Sequence, residues 1–468
     1  MTRILHTLLL SAVVAAGTAQ TATTTYFMDG IPTRHTLNPA FAPEGNYVSM
    51  PLLGQTGGGY SGNVRLDDFI YTRPVNGQLR TVTFLHPGVA ASDVSFPDRT
   101  RLNEELRLQV IDAGFRMLGG YSTVGISVRE QGGINLPGEL FGMMKTLANK
   151  DYDLGRGDAC LQSWAELALG HSRRLNPHLR VGAKLKLLLG LAQAKSRFTD
   201  LRLNLESPDR WTVTGREELH VSRQGFTWGA PRTHTYNTST QTYESVNWDN
   251  VSWGNRKVSV SGGGLAVDLG ADYAFTGTLS GLSLSAALTD LGFLRWDDTR
   301  RASNEGRPFT FAGFHNVQVK GHEGDIPFKE QSDQLLDNLA RFYNVSDQGN
   351  AHTQTSLGTT LNVGVAYTLP AWKQLTLGLL STTRLQSRYG WNEERLSATV
   401  RPLTWLEICL SGAVGTAGSS WGGVLNVKPR YVNFYIGFDR YFGRLSKPFV
   451  PLGSGASAYL GLNFTFGR

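Results

Sequence analysis

Cysteine is almost missing from this chain of 468 residues: Cys160 and Cys409 stand alone, with no zinc or redox spacing. Two free thiols are therefore expected rather than a bridge. Beyond residue 19 there is no run of about 18 uncharged apolar residues, which excludes an α-helical inner-membrane protein. Charge is scarce too, at 18% of residues, where soluble proteins of this size usually carry about a quarter. The sequence has no Gly-x-Ser-x-Gly elbow, no His-Glu-x-x-His, no phosphate loop, no EF-hand spacing and no clustered metal ligands. No enzyme, cofactor or metal site is expected. The net charge of +7 is small and scattered, so nucleic acid is not an expected partner, whereas anionic lipid headgroups would be favoured.

What is present begins with an export signal. Arg3 supplies a short positive region, Ile4 to Ala16 an apolar stretch, and Gly17-Thr18-Ala19 the small residues before a cut. Residues 1–19 are read as a signal peptide. The apolar stretch is shorter than the ~20 residues that span a bilayer.

The mature chain alternates apolar and polar residues with the period of a strand. From Leu179 to Ala192, one face holds Val181, Ala183, Leu185, Leu187, Leu189 and Leu191, and the other holds Arg180, Lys184 and Lys186. From Gly264 to Phe275, Leu265, Val267, Leu269, Ala271, Tyr273 and Phe275 alternate with Asp268 and Asp272. Charge confined to one side of a long strand suits a wall with lipid outside and a lumen inside. At the C-terminal end, Leu460, Leu462, Phe464 and Phe466 share a face.

Many such stretches approach the ~9–11 residues that a tilted strand needs to cross a membrane. Short punctuation such as Leu175-Asn176-Pro177-His178 and Arg401-Pro402-Leu403-Thr404 predicts hairpins. Tyr and Trp recur near strand ends, at Trp164, Tyr273, Trp296, Tyr367, Trp372, Tyr389, Trp391, Trp405, Tyr441 and Tyr459, as bilayer interfaces would favour. The predicted fold is an all-β, antiparallel transmembrane β-barrel in a bacterial outer membrane. A soluble β-sandwich or β-helix is the alternative.

Several segments break the pattern. Gln20 to Pro51 is too irregular for a wall strand, and Gly57-Gly58-Gly59 reads as a turn before one. Ile134 to Lys150 and Ile326 to Val345 place apolar residues at helical spacing and predict short loop helices. Trp211 to Lys257 reads as a polar insertion: an aromatic-bearing loop, or in part a strand pair above the membrane. Asp290 follows Leu282, Leu284, Ala286 and Leu288 in register, and would face lipid if that strand ran unbroken. Gly292 close by suggests a bulge or strand end. His171 and Ser172, as neighbours on one strand, face opposite sides and form no local pair.

Four segments carry a family resemblance: Tyr26-Phe27-Met28-Asp29-Gly30 through Arg34-His35 to Leu37-Asn38-Pro39-Ala40-Phe41, then Gly264 to Ala271, Leu288 to Trp296, and Asn433 to Phe438. They resemble the Bacteroidota outer-membrane proteins grouped as domain of unknown function 5723, themselves distantly similar to the long-chain fatty-acid transporter superfamily and to the barrel of the type IX secretion apparatus. The resemblance implies about 14 strands. It also implies that Asn38, Pro39 and Ala40 lie in an N-terminal hatch over residues 20–51, folded into the lumen of a barrel over residues 52–468.

By the same analogy, Asp290 and Gly292 would mark a kink in the wall. The family has no established activity. Transport or binding of a hydrophobic small molecule is the first expectation, and an anchor for secretion or surface-assembly proteins is the second. Arg180, Lys184, Lys186, Asp268 and Asp272 would then line the lumen, either selecting solutes or pairing with each other and with the plug. The chain ends on Gly467-Arg468 rather than on an aromatic residue.

Overall fold

The structure is a computed structural model that describes residues 22–146, 151–207, 210–236, 241–254, 259–311, 342, 344–386, 388–441 and 453–467. Residues 1–19, read as a signal peptide, fall outside this set, as does nearly all of the helix expected from Ile326 to Val345.

Alternation of apolar and polar residues produces one large antiparallel sheet that closes on itself. Its first half contains β1 (Asn46–Ser49), β2 (Thr56–Gly62), an outlying hairpin of β3 (Ile70–Val75) and β4 (Gln78–Thr83), then β5 (Arg99–Met117), β6 (Gly120–Pro137), β7 (Tyr152–Arg174), β8 (Leu179–Ser207) and β9 (Arg210–Ser222). A second small hairpin, β10 (Arg232–Tyr236) and β11 (Gln241–Ser245), precedes β12 (Gly262–Ala274), β13 (Leu282–Ser303), β14 (Phe309–Phe311), β15 (Ser346–Ser356) and β16 (Thr359–Thr368). The wall then continues through β17 (Leu375–Leu385), β18 (Trp391–Leu403), β19 (Leu406–Gly415), β20 (Gly418–Val427), β21 (Val432–Tyr441) and β22 (Gly455–Phe466).

Three pairs of these segments share a wall position. β1 and β2 both lie between β22 and β5. β9 and β12 both lie between β8 and β13, and β15 and β16 both follow β13. The result is a closed barrel of 14 strands.

The two ends differ. One carries tight connections such as Leu118-Gly119 and residues 175–178, together with both ends of the wall, where Asn46 pairs with Phe466. The other carries the longer connections, including residues 63–98 and the described parts of those that follow β6 and β13. At that end β7 and β8 run for 23 and 29 residues, more than twice what a bilayer crossing needs, so one side of the wall stands far above the other.

Outward side chains form an apolar band around the barrel, among them Leu185, Leu187, Leu265, Leu379, Leu410, Ile436 and Phe464. No helix of the described residues is long and apolar enough to cross a membrane. Inward positions carry small and polar residues. Tyr459, Gly461 and Asn463 alternate with Leu460, Leu462 and Phe464 along β22.

Several expectations change. Wall pairing starts at Asn46, inside the stretch read as irregular, because Tyr47 and Ser49 have lumenal partners. Gly57-Gly58-Gly59 is strand, pairing with β22 on one side and β5 on the other. The helix expected from Ile134 is shorter: β6 continues to Pro137, and α1 spans Glu139–Lys145, with Phe141 packed edge-on or tilted against Phe69, Phe84 and Phe96. Trp211 starts a stretch of β9 that extends the wall, followed by the β10–β11 hairpin. Tyr273, Tyr367, Trp372 and Trp405 are exposed near the tight turns, but Trp164 and Trp296 are fully buried inside the lumen. Both lie well inside β7 and β13 rather than at strand ends, because these strands run on past the length read from the sequence.

Candidate functional site

The lumen is filled in layers, and the inward residues of β8 read them off in order: Arg180, Gly182, Lys184, Lys186 and Leu188.

The hatch, from Ala22 to Phe41, occupies the level of Gly182 and Lys184. It consists of two 3-10 turns, Thr23–Thr25 and Pro32–Thr36, with Tyr26, Met28, Ile31 and Ala40 buried. Neither turn has a side-chain cap, so wall groups supply the missing partners. The Asp439 carboxylate accepts from the backbone N–H groups of Thr23 and Thr24, both at 2.8 Å. Asn433 donates to the carbonyl of Gly30 at 3.0 Å, and Asn362 to that of Leu37 at 3.1 Å.

Asn38 is buried and works in two directions. Its Oδ1 accepts from the N–H of Ala40 at 2.9 Å, and its Nδ2 donates to the carbonyls of Ala271 and Ala286 at 3.2 and 3.4 Å. Pro39 lies so near the wall that a Cβ on Gly182 would stand 2.2 Å from its carbonyl oxygen.

His35 latches the hatch to two strands. Lys184 Nζ donates to its Nδ1 at 3.0 Å and to its carbonyl at 3.2 Å. That leaves Nε2 carrying the proton, 2.5 Å from the Tyr47 hydroxyl, which itself donates to Asp112 at 2.5 Å. Burial and the ammonium of Lys184 hold the His35 pKa below its ordinary value, so the ring is neutral.

One level further in lies a layer of buried charge. Arg129 on β6 donates to Asp290 at 2.8 and 2.9 Å, to Glu105 at 2.8 Å and to Glu166 at 3.3 Å. Lys186 reaches Asp290 at 2.6 Å and Asp268 at 2.8 Å. Arg384 on β17 closes the layer by meeting Glu105 on β5 at 3.0 Å. Four acids thus meet Arg129, Lys186 and Arg384, with Arg107 3.9 Å from Glu166.

Asp290 enters this layer through a bulge. It has φ +59°, and the register between β12 and β13 slips there by one residue. The slip turns Thr289 and Asp290 inward in succession, so the carboxylate that an unbroken strand would aim at lipid is buried instead. Its N–H donates to Asp268 Oδ1 at 2.7 Å. Opposite, Leu357 and Gly358 interrupt the wall between β15 and β16, leaving Thr359 Oγ1 to reach the Asp290 carbonyl at 3.1 Å. The ladder is therefore interrupted on both sides of Asp290. Gly292 sits in this gap because a Cβ there would lie 2.3 Å from the Leu265 carbonyl oxygen.

Beyond the charges lies an apolar layer of Trp164, Leu188, Ala266, Leu294, Trp296 and Leu357, all buried within the lumen. Beyond that again, the Tyr389 hydroxyl donates to Asp158 on β7 at 3.0 Å, folding the connection after β17 across the barrel.

Of the lumenal charges read from sequence, Lys184, Lys186 and Asp268 meet hatch or wall partners, while Arg180 and Asp272 face each other in register at the tight-turn rim. Arg129, Glu105, Glu166 and Arg384 carry no sequence signal of their own, and His35 is marked only as part of the N-terminal resemblance. Each is one more polar residue at an inward or irregular position, and only closure of the barrel brings them together. His171 lies on the outward face and bonds Ser122 on β6 at 2.9 Å. Cys160 and Cys409 are free thiols. Among the described residues no group of three or more His, Cys, Asp or Glu could hold a metal ion.

Solved barrels are similar over nearly the whole chain at low identity. A TodX deltaS2S3 mutant monoaromatic hydrocarbon channel has TM-score 0.43 and 9% identity, covering 93% of this chain and 94% of its own. The Ralstonia pickettii toluene transporter TbuX has TM-score 0.37 and 9% identity over 93% and 92%. The Pseudomonas putida toluene transporter TodX has TM-score 0.36 and 9% identity over 96% and 94%. No curated protein matches the chain. A family model matches residues 39–439, from the end of the hatch into β21, and the chain therefore belongs to the family of unknown function DUF5723.

Proposed function

We propose that the protein is an outer-membrane barrel that binds or passes hydrophobic small molecules between the bilayer and its lumen. The observation that carries this reading is the position of Leu357. Its backbone N–H donates to the Gly292 carbonyl at the wall interruption, and its side chain belongs to the apolar layer with Trp164, Leu294 and Trp296. This apolar layer, beyond the buried charges, meets the wall where the ladder is interrupted. Outside that point stand Leu265, Leu291 and Phe293, exposed in the apolar band. An apolar solute dissolved in lipid has its shortest route to an apolar environment there. The tight-turn end then faces the periplasm and the end with the longer connections the cell exterior, as in outer-membrane barrels generally.

A second reading rests on the filled lumen. Hatch, charge layer and apolar layer close the barrel in succession, and the tall wall from β5 to β9 offers a surface to other proteins. That arrangement suits an anchor for secretion or surface-assembly partners.

Extraction from native membrane in mild detergent, followed by mass spectrometry, separates the two. A stoichiometric apolar ligand that is lost in Leu294→Asn supports passage. A stoichiometric protein without such a ligand supports the anchor.

A further inference from the structure

We propose that the periplasmic mouth of the barrel is a receptor for a phosphate-bearing ligand, held by Arg116, Arg174 and Arg180 with Ser172 behind them. These three arginines occupy inward positions of β5, β7 and β8 at the tight-turn rim, and their alternation follows from the strands they end. Asp112, Gly114 and Arg116 face inward, as do Ser172 and Arg174, and Arg180 and Gly182. Arg174 and Arg180 are direct register partners, so two like charges stand opposite each other across neighbouring strands. Such a pair is destabilising unless an anion joins it.

One wall acid, Asp272, stands opposite Arg180 in register and answers only part of the charge. Arg180 has Arg174, Arg116 and Arg34 as charged neighbours, and Asp272 is the one carboxylate in that set. Arg34 is taken up by Asp29 at 2.7 Å, and Arg116 spends one donor on the carbonyl of Glu44. Among the described residues neither Arg174 nor Arg180 forms an ion pair.

A second observation points the same way. Immediately inward of the arginines, a narrow cleft runs between the hatch and β6–β8, lined by His35, Tyr121, Thr123, Ser172 and Lys184. Ser172 is 5% exposed, and its hydroxyl has no hydrogen-bond partner. The cleft has a volume of only about 10 Å³, room for a single water, so the Ser172 hydroxyl is left to bond, directly or through one water, to an anion held by the arginines at its outer end. Planar guanidinium groups bind phosphate through paired N–H donors, and several of them around one narrow opening suit a multiply charged phosphate better than a single carboxylate.

The source is either a phospholipid headgroup at the rim or a soluble phosphorylated compound in the periplasm, and one experiment addresses the chemistry and then the source. Inorganic pyrophosphate is titrated calorimetrically into the full-length protein in a zwitterionic detergent. Saturable binding is expected, weakened about tenfold or more in Arg174→Gln and Arg180→Gln, and reduced in Ser172→Ala. Arg173→Gln is the control, because Arg173 faces the opposite side of β7. Arg180→Lys keeps the charge without the fork and is expected to bind with intermediate strength, which separates lost recognition from a misfolded variant. The titration is repeated in nanodiscs. Binding abolished by phosphatidylglycerol but not by phosphatidylcholine assigns the site to a lipid headgroup, whereas binding kept in both assigns it to a soluble phosphate. Absence of saturable binding, or equal losses in Arg173→Gln and Arg174→Gln, would overturn the proposal.

Discussion

Arg384 and Glu105 lie 279 residues apart and meet at 3.0 Å, joining β17 to β5 across the width of the lumen. Seven wall positions separate these strands in either direction around the closed sheet of 14, so no pair of strands lies farther apart. The lumen is thus obstructed at the charge layer as well as at the hatch. Wild-type protein in planar bilayers is expected to show no stable conductance, and removal of residues 22–41 alone should add little. The same deletion combined with Arg384→Ala and Glu105→Ala should produce discrete channel openings. Large openings from the hatch deletion alone would show that the charge layer is no barrier.

Arg129 is the hub of that layer, and its loss leaves Glu105, Glu166 and Asp290 with fewer buried partners. Arg129→Met is expected to destabilise the barrel by about 3–5 kcal/mol, the usual consequence of breaking one side of a buried charge network. The midpoint of urea unfolding in detergent is the measurement, and a midpoint matching wild type would refute the assigned role.

His35 makes the seating of the hatch depend on pH. The groups around it are Lys184, Asp112, Tyr47 and Arg107, and its pKa in place is depressed by burial and then by Lys184. A depressed value means that the released hatch binds a proton more readily than the seated one. Seating is therefore at full strength above the ordinary histidine value of about 6.5 and weakens as pH falls from there toward the depressed value. Proteolysis of the hatch should accelerate between pH 7.5 and pH 5 in wild type. In His35→Gln the rate should be flat across that range.

Gly378 on β17 faces Phe27, and a Cβ there would approach the ring to 2.2 Å. Gly378→Val should unseat the hatch at a cost of about 1–3 kcal/mol, as overpacking does in a filled interior. Restoration of protease resistance by a second change, Phe27→Ala, identifies the clash as the cause, and failure of that rescue argues against it.

The wall was legible because its periodicity is local. Leu185, Leu187 and Leu189 alternate with Lys184, Lys186 and Leu188, and two neighbouring residues decide which face is which. The hatch was legible only through the resemblance, since no period marks the stretch from Tyr26 to Phe41. Asp290 shows why alternation has a limit: one inserted residue reverses the facing of everything after it, and Gly292 alone signalled that a bulge was near. The partners of Asp290 were beyond reading. Arg129 lies 161 positions away and Lys186 lies 104, and such pairs exist only once the strands have taken their places.

Closure of the wall has a kinetic side. The seam joins Asn46 to Phe466, so the first strand of the barrel waits for the last one to be made. Contacts of such sequence separation are the slowest to form, because the whole intervening chain must be ordered or looped out first. The hatch lies directly before β1, and its two leading N–H groups are bound by Asp439, close to the final strand. Those contacts cannot form until nearly all of the chain is present. Insertion of the hatch and sealing of the barrel are therefore coupled late events, and a nascent chain stalled before β21 would present an open-edged sheet with its N-terminal segment still unbound.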